Sequence, residues 1–364
     1  MKIAILDPFH SGSHRAWSTG LARHSDHEIR IFSLPGRHWK WRMHGAALSL
    51  AKAWTNSGFA ADMILTTDMM ALDTFAAVCR HSLNQVNLAI YFHENQLTYP
   101  WSPDDPDTIT GRDNHYAFIN LTSALAADRL FFNSKYHLES FLGALPEFCR
   151  QFPPPSIQPE AETLKDKSAV LPPGIDLTSL DHPAPERRPN PVILWNHRWE
   201  YDKGPEAFFE ALFQLDREGL DFELIILGEA YGQSPPIFAE ARSKLADKIL
   251  HWGFATSRLR YAQLLRQSDI LPVTSRQDFF GISVIEAIYC GARPLLPRRL
   301  AYPDHFPPAE FPDIFYDSPK DLLDQLRTLL KNPAKIRQHQ FHQQVAQYDW
   351  NTIISTYDQL LWNM

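Results

Sequence analysis

Two carboxylates flank a glycine turn within residues 275–294, and their spacing suits the binding of one polar ligand. Asp278 precedes Gly281, and seven residues separate it from Glu286. An apolar run typical of a strand comes before the turn, and a helical pattern begins after it. The first N–H groups of a helix have no partner within it and can bind an anion such as a diphosphate. Both carboxylates can then accept hydrogen bonds from ligand hydroxyls. The alternative is that Glu286 lies on a solvated helix face and Gly281 only forms a turn, but the complete spacing favours a ligand site.

Two cations follow an apolar run within residues 192–204. Arg198 ends the predicted strand, and Lys203 with Gly204 begins the next predicted helix. Cations at this position suit a leaving nucleoside diphosphate, whose negative charge grows as the glycosyl bond breaks. A surface salt bridge is the better explanation of either residue alone. Together with the segment around Gly281, however, the pair favours a nucleotide-sugar site.

Polar residues also follow two predicted strands of the N-terminal half. His10–His14 contains Gly12 and Ser13 and forms a small loop that could approach a phosphate or an acceptor, although such loops are common. His93 and Glu94 end another predicted strand, where polar groups have little structural reason to cluster. A hydrogen-bonded structural histidine is an equal alternative for His93.

Cations and tryptophans alternate within residues 35–44. The residues concerned are Arg37, Trp39, Lys40, Trp41 and Arg42. Such a composition can hold phosphates and stack on unpaired bases. An equal alternative makes the tryptophans core anchors and the cations solvated flanks.

Strand and helix patterns alternate along most of the chain, which predicts βαβ units and parallel sheets. Predicted strands are 2–6, 29–32, 63–65, 87–91, 130–132 and 169–171, then 192–195, 223–227, 249–251, 270–273 and 293–296. Predicted helices include 45–54, 114–127, 205–214, 236–246, 258–267 and 282–289.

These elements predict an α/β protein with two Rossmann-like, doubly wound domains that face a cleft. Residues 1–180 form an N-terminal acceptor-binding domain, and 181–191 form a Pro-rich linker. Residues 192–348 form a C-terminal nucleotide-sugar-binding domain, and 349–364 form a terminal helix that packs back on the N-terminal domain. Open α/β sheets bind ligands at the carboxyl ends of their strands, which places the predicted sites at the cleft.

Composition limits the class of protein. Hydrophobic residues make up 44% and charged residues 21% of the chain, which suits a globular core. The three cysteines are widely spaced, and no stretch approaches the ~20 apolar residues of a membrane span, so we expect a cytoplasmic protein without a membrane partner. The net charge of −7 disfavours general coating of nucleic acid but permits a local basic site. The acidic run Asp104–Asp107 lies in a Pro-rich loop, and we interpret it as solvated rather than metal-binding.

The segments around Asp278 and Arg198 resemble the retaining GT-B glycosyltransferases of family 4. Two acids around a Phe-Gly turn, followed by Glu-Ala and Gly-x-Pro, are the family signature, although its first acid is usually Glu where this chain has Asp278. The resemblance implies a ribose contact for Glu286, a contact between His93 and the transferred sugar, and no metal ion. Glu94 is left as a candidate on the acceptor side. The implied nucleotide-sugar residues are Arg198, Lys203, Gly228, Gly253, Asp278, Phe280, Gly281, Ile282 and Glu286.

Several N-terminal motifs resemble the tRNA-queuosine mannosyltransferase family more closely. They are Asp-Pro-Phe-His-Ser-Gly-Ser-His at residues 7–14, residues 35–44, and Phe-His-Glu-Asn-Gln-Leu at residues 92–97. Phe-Phe-Gly at residues 279–281 shares this resemblance. The resemblance implies transfer of mannose from GDP-mannose to queuosine in the tRNA anticodon, with retention of configuration. The implied acceptor residues are Gly12, Ser13, His14, Arg37, Trp39, Lys40, Trp41 and Arg42. Two alternatives remain: a glycosyltransferase with a small-molecule or lipid acceptor, and a non-catalytic GT-B domain that binds RNA.

Overall fold

The computed structural model describes residues 1–102, 105–107, 114–153, 161–183, 186, 188–228, 234–336 and 341–363. The chain divides into two compact units: unit 1 comprises Met1–Ile175 and Trp350–Met364, and unit 2 comprises Asp176–Asp349. Each unit contains a six-stranded parallel sheet, which confirms the predicted α/β fold class.

The sheet of unit 1 has the strand order β2-β1-β3-β4-β5-β6. Its strands are β1 (Lys2–His10), β2 (Glu28–Pro35), β3 (Met63–Thr67), β4 (Asn87–Phe92), β5 (Arg129–Phe132) and β6 (Ser168–Val170). Every residue of β3 is buried, as expected for a parallel sheet covered on both faces. The helices are α1 (Gly12–His24), α2 (Trp39–Ser57), α3 (Leu72–Cys79), α4 (Asn114–Ala126), α5 (Lys135–Arg150), α6 (Ala161–Asp166) and the C-terminal α15 (Trp350–Trp362).

The C-terminal helix α15 is anchored in unit 1 by a buried tyrosine. The Trp17 indole of α1 donates a hydrogen bond to the Tyr357 hydroxyl at 2.9 Å, and that hydroxyl donates to the Pro172 carbonyl at 2.9 Å. Asp358 accepts hydrogen bonds from the Ser25 hydroxyl at 2.5 Å and from the Asp26 N–H at 3.0 Å. The last helix of the chain therefore completes the N-terminal unit.

The sheet of unit 2 has the strand order β12-β11-β10-β7-β8-β9. Its strands are β7 (Val192–Asn196), β8 (Glu223–Leu227), β9 (Ile249–Gly253), β10 (Ile270–Pro272), β11 (Arg293–Pro297) and β12 (Phe315–Tyr316). The helices are α7 (Pro205–Arg217), α8 (Ile237–Lys244), α9 (Arg258–Gln267), α10 (Ile282–Tyr289), α11 (Tyr302–His305), α12 (Pro319–Lys331), α13 (Pro333–Ile336) and α14 (His342–Ala346). None of the described helices combines the length and apolar character needed to cross a membrane.

The eleven predicted strands all occur, and the main differences lie at element ends. The helix predicted for 45–54 begins earlier, at Trp39, directly after His38 in the left-handed region at φ 59°. Trp39 to Arg42 therefore form its first turn, which the mixture of cations and aromatics obscured. The two-residue strand β12 was missed because so short a run has no readable period.

Candidate functional site

Lys203 is a buried cation of unit 2. It ends a short 3-10 turn after β7, and its side chain is only 10% exposed. Its ammonium donates to the Gln277 carbonyl at 2.7 Å and lies 3.2 Å from Asp278 Oδ1 and 3.1 Å from Asp202 Oδ2. Burial disfavours the charged form, but the two carboxylates outweigh burial and raise the pKa of Lys203 above its ordinary value. The site thus holds a permanent, oriented positive charge.

Asp278 is held on both carboxylate oxygens. Oδ1 faces Lys203, and Oδ2 accepts a hydrogen bond from the Tyr302 hydroxyl at 2.7 Å. Burial alone would raise the pKa of Asp278, but the charge of Lys203 and the hydrogen bonds from Tyr302 and Lys203 keep this pKa below its ordinary value. The shorter acid therefore forms a fixed pair with Lys203.

The turn at Gly281 starts helix α10, as the sequence predicts. Gly281 lies in the left-handed region at φ 85°, and Ile282 is the first helical residue. The preceding Phe280 is buried, and its carbonyl accepts a hydrogen bond from His305 Nε2 at 2.8 Å. The first N–H groups of α10 are thereby held at a defined position beside Asp278.

Glu286 does not lie on a solvated face of α10. It is buried, its Oε1 accepts from the Arg258 guanidinium at 2.7 Å, and its Oε2 accepts from the Tyr261 hydroxyl at 2.7 Å. The Asn196 amide, at the end of β7, donates to the same hydroxyl at 2.8 Å. Sequence reasoning missed Arg258 and Tyr261. The available signal was their position in the first turn of the helix after β9, adjacent to the predicted strand end at Gly253.

Arg198 differs from Lys203 in its exposure. Its side chain is 48% exposed, and its guanidinium lies 3.0 Å from a Glu200 carboxylate oxygen. Gly228 follows β8 and Gly253 ends β9, and Gly253 pairs with Leu227 in the sheet. Structurally, the predicted nucleotide residues of unit 2 thus follow neighbouring strand ends of one sheet.

Two imidazoles meet at strand ends in unit 1. The ring centroids of His14, in the first turn of α1, and His93, after β4, are 4.1 Å apart. Burial lowers the pKa of His14 to about 4 and the pKa of His93 well below its ordinary value, so both rings are neutral at pH 7. Among the described residues, His14 Nδ1 and His93 Nε2 are buried without a hydrogen-bond partner. A polar ligand or a water molecule would supply the missing hydrogen bonds.

A buried carboxyl fixes the backbone next to this histidine pair. Asp68, which follows β3, accepts a hydrogen bond from the His93 N–H at 2.8 Å. Burial and the nearby Glu94 raise the pKa of Asp68 well above its ordinary value. Glu94 itself accepts from the Gln96 amide at 3.0 Å. His93 and Glu94 therefore stand on a rigid strand end.

The two predicted acceptor segments adjoin each other in unit 1. A methyl group added at Gly36, in the loop after β2, would lie 2.0 Å from the Ser11 hydroxyl, so the loop contacts the start of α1. Gly12 and Ser13 follow Ser11 and are exposed, and a side chain added at Gly12 would meet no atom within 4 Å. These exposed residues lead directly to His14.

Trp39 and Trp41 have different environments. Trp39 packs on Tyr116 and Trp101, with ring centroids 5.0 and 6.2 Å away, whereas Trp41 is 69% exposed. Trp39 therefore fits the alternative of a core anchor, whereas Trp41 faces solvent and remains free to stack on a base.

The cations of this segment are also unequal. Lys40 Nζ lies 2.5 Å from Asp105 Oδ1 and 2.5 Å from Asp107 Oδ2, so the interpretation of the acidic run as solvated is wrong for these two residues. Asp104 lies outside the described residues. The Arg42 guanidinium donates to the Pro35 carbonyl at 3.3 Å, and Arg37 is exposed. In the described part of the chain, no group of three or more His, Cys, Asp or Glu residues could hold a metal ion.

The fold is that of the GT-B glycosyltransferases. Residues 180–347 match the family model for glycosyl transferases group 1. Among solved structures, sucrose-phosphate synthase from Thermosynechococcus elongatus superposes with a TM-score of 0.70 at 15% identity, over 100% of this chain and 98% of that chain. The Anabaena protein HepE, crystallised with UDP and glucose, superposes with a TM-score of 0.67 at 16% identity, over 100% of both chains.

The N-terminal unit identifies the family within this class. Residues 2–175 match the model for the tRNA-queuosine alpha-mannosyltransferase N-terminal domain. The tRNA-queuosine alpha-mannosyltransferase of Drosophila melanogaster is 30% identical over 356 residues, which cover 92% of this chain and 88% of the fly protein. The chain belongs to the tRNA-queuosine alpha-mannosyltransferase family.

Proposed function

We propose that this chain is a cytoplasmic enzyme that transfers mannose from GDP-mannose to a hydroxyl of queuosine in the tRNA anticodon, with retention of configuration. The observation that carries the proposal is the pair of buried, unpartnered imidazole nitrogens at His14 and His93, in the unit that matches the family's own N-terminal model. Unit 2 supplies charged groups suited to a nucleoside diphosphate.

The donor is held through its diphosphate and ribose. The exposed guanidinium of Arg198 and the N–H groups after Gly281 attract the diphosphate. The Lys203 ammonium keeps its contact with Asp278 and turns from Asp202 towards the diphosphate. Glu286 accepts a hydrogen bond from a ribose hydroxyl, since each carboxylate oxygen has a further lone pair beyond its bond to Arg258 or Tyr261. Phe280, Ile282, Gly228 and Gly253 line the same strand ends.

In the transfer step, the acceptor oxygen forms a bond to C1 of mannose while the bond from C1 to the diphosphate oxygen breaks. GDP leaves with the electron pair of that bond, and the departing diphosphate takes the proton of the acceptor hydroxyl. Lys203 and Arg198 stabilise the growing negative charge, which removes the need for a bound divalent ion. The neutral imidazoles of His14 and His93 hydrogen-bond to sugar or acceptor hydroxyls, and Glu94 lies on the acceptor side.

The tRNA is held by the exposed surface at the start of α2. Trp41 offers a free aromatic face on which an unpaired anticodon base can stack. Arg37 and Arg42 contact phosphates, and Gly12 and Ser13 permit close approach of the acceptor to His14. The Lys40 ammonium must release Asp105 or Asp107 before it can contact a phosphate.

Mass spectrometry of tRNA nucleosides tests this proposal. Purified protein is incubated with queuosine-containing tRNA and GDP-mannose, with and without a metal chelator, and tRNA that lacks queuosine is the control. We expect a hexose added to queuosine only, at equal rates in both buffers. Transfer to a small molecule or lipid instead would contradict the acceptor, and a strict need for Mg²⁺ or Mn²⁺ would contradict the metal-free donor site.

A further inference from the structure

The short helix α11 (Tyr302–His305) contacts the Asp278–Gly281 turn through two side chains. Tyr302, which is fully buried, donates its hydroxyl to Asp278 Oδ2 at 2.7 Å. His305 is also buried, and its Nε2 donates to the Phe280 carbonyl at 2.8 Å. One helical turn thus holds both the carboxylate before Gly281 and the backbone that leads into α10.

Further contacts fix the orientation of both side chains. A methyl group added at Gly281 would lie 3.3 Å from a Tyr302 ring carbon, so the ring packs against the turn itself. Because a carbonyl oxygen can only accept, His305 Nε2 carries the proton and Nδ1 accepts from the Tyr348 hydroxyl at 2.9 Å. Neither His305 nitrogen is left to serve another partner.

We infer that Tyr302 and His305 are positioning residues of the nucleotide-sugar site. This inference rests on the proposed donor role of unit 2. Tyr302 fixes the Asp278 carboxylate, which in turn holds the Lys203 ammonium where the leaving diphosphate develops charge. His305 fixes the backbone at Phe280, so that the N–H groups at the start of α10 keep their direction. Preorganised charges and donors need no rearrangement as the reaction proceeds, which is the main source of their catalytic effect.

A second buried tyrosine of unit 2 provides a matched control. Tyr316 is 4% exposed and donates its hydroxyl to the Val273 carbonyl at 2.6 Å. Removal of either hydroxyl deletes one buried hydrogen bond in the same unit, but only Tyr302 contacts Asp278. A difference between Tyr302→Phe and Tyr316→Phe therefore reports on the Asp278 contact and not on the general loss of a buried hydroxyl.

The experiment compares these variants in full-length protein. Steady-state kinetics gives kcat and the KM for GDP-mannose, calorimetry gives the affinity for GDP, and thermal unfolding gives Tm. For Tyr302→Phe we expect kcat to fall by roughly 10-fold with a small change in KM, because the lost bond to a charged group acts most strongly on the leaving group. Tyr316→Phe should lower Tm, by no more than Tyr302→Phe because its partner is a neutral carbonyl, and leave kcat near that of the wild type. Equal kcat values in the two variants would overturn the role of Tyr302.

His305 is tested by rescue. His305→Gln keeps an N–H donor near the Phe280 carbonyl, whereas His305→Leu removes it, so GDP affinity should be weaker in the leucine variant. Equal GDP affinity would overturn the role of His305. Because GDP binding requires no acceptor, GDP affinity can be measured independently of the proposed function. If wild-type protein binds GDP but leaves tRNA unmodified, the proposed acceptor is contradicted and the positioning role is not.

Discussion

The charged groups of unit 2 and the candidate acceptor groups of unit 1 are held in opposite ways. In unit 2, Lys203 lies between two carboxylates and Glu286 is held by Arg258 and Tyr261, so both of these charges have partners within the unit. In unit 1, two imidazole nitrogens at the histidine pair are buried without a partner among the described residues, and Trp41 is exposed.

We propose that this difference follows from the ligand that each site binds. A diphosphate carries concentrated charge that grows during transfer, so a site that is organised beforehand stabilises it best. A large nucleic acid brings many of its own contacts, so exposed rings and cations suffice to hold it, and only the reacting hydroxyl needs buried partners. The comparison predicts that variants of unit 2 affect chemistry and stability, whereas variants of unit 1 affect acceptor binding.

The largest effect is expected for Lys203→Ala. Loss of the ammonium removes transition-state stabilisation and deprives the buried carboxylates of Asp202 and Asp278 of its positive charge, so kcat should fall ~10²-fold or more and Tm should fall as well. Arg198→Ala should lower kcat in the same direction without a loss of Tm, because Arg198 is exposed. Stopped assays of tRNA mannosylation and thermal unfolding measure both effects. A near-normal kcat in both variants would contradict the placement of the leaving group.

The second effect concerns Trp41. Base stacking on an aromatic side chain contributes about 1–3 kcal/mol, so Trp41→Ala should weaken tRNA binding roughly 10-fold. Leu48→Ala is the control, since Leu48 is 56% exposed two turns further along α2 and offers no ring. Filter binding at fixed salt measures both affinities. Equal tRNA affinities in the two variants would contradict base stacking on Trp41.

The third effect is a difference between Arg37 and Lys40 in the salt dependence of tRNA binding. Arg37→Ala should reduce the slope of log K against log salt by roughly 0.7 to 0.9 for one lost phosphate contact. Lys40→Ala should change it less, because Asp105 and Asp107 already neutralise Lys40. Filter binding of tRNA at several salt concentrations measures the slopes. A larger change for Lys40 than for Arg37 would show that tRNA displaces the acidic pair.

A separate effect concerns neither chemistry nor binding but stability at mildly acidic pH. Burial lowers the pKa of His14, His197 and His305 to about 4 in the folded state, against an ordinary value of 6.5. The unfolded chain therefore binds more protons between these values, and the free energy of unfolding should decrease as pH falls from 6.5 towards 4. Urea unfolding at a series of pH values measures this slope, and His14→Phe should flatten it. An unchanged slope in His14→Phe would contradict the buried, neutral state of this residue.

The sequence predicts most of the candidate site of unit 2, because the motifs that form this site consist of residues close together in the chain. The turn at Gly281, the helix after it and the strand end at Arg198 all follow from residues close in the chain. The partners of those residues do not. Tyr302 is 24 positions from Asp278 and Arg258 is 28 positions from Glu286, so only packing reveals that they meet. In the same way, the salt bridges of Lys40 to Asp105 and Asp107 join segments about 65 residues apart, which no local pattern indicates.

Unit 1 was harder to predict because its groups are individually ordinary. A histidine after a strand is as readily structural as functional, and no pattern indicates that the ring centroids of His14 and His93 lie 4.1 Å apart. The sequence around Trp39 and Trp41 likewise permits either core packing or base stacking, because it does not show where α2 begins. One residue packs inward and the other points outward because neighbouring positions on a helix face different directions.

The central claim is that unit 2 binds the nucleotide sugar and unit 1 binds the tRNA, and paired titration of two variants tests it most directly. GDP-mannose and queuosine-containing tRNA are titrated separately against wild type, Glu286→Ala and Trp41→Ala. The account predicts a crossed pattern, in which Glu286→Ala loses affinity for GDP-mannose but keeps tRNA affinity, and Trp41→Ala does the reverse. Loss of both affinities in each variant, or the opposite assignment of the two ligands, would contradict it.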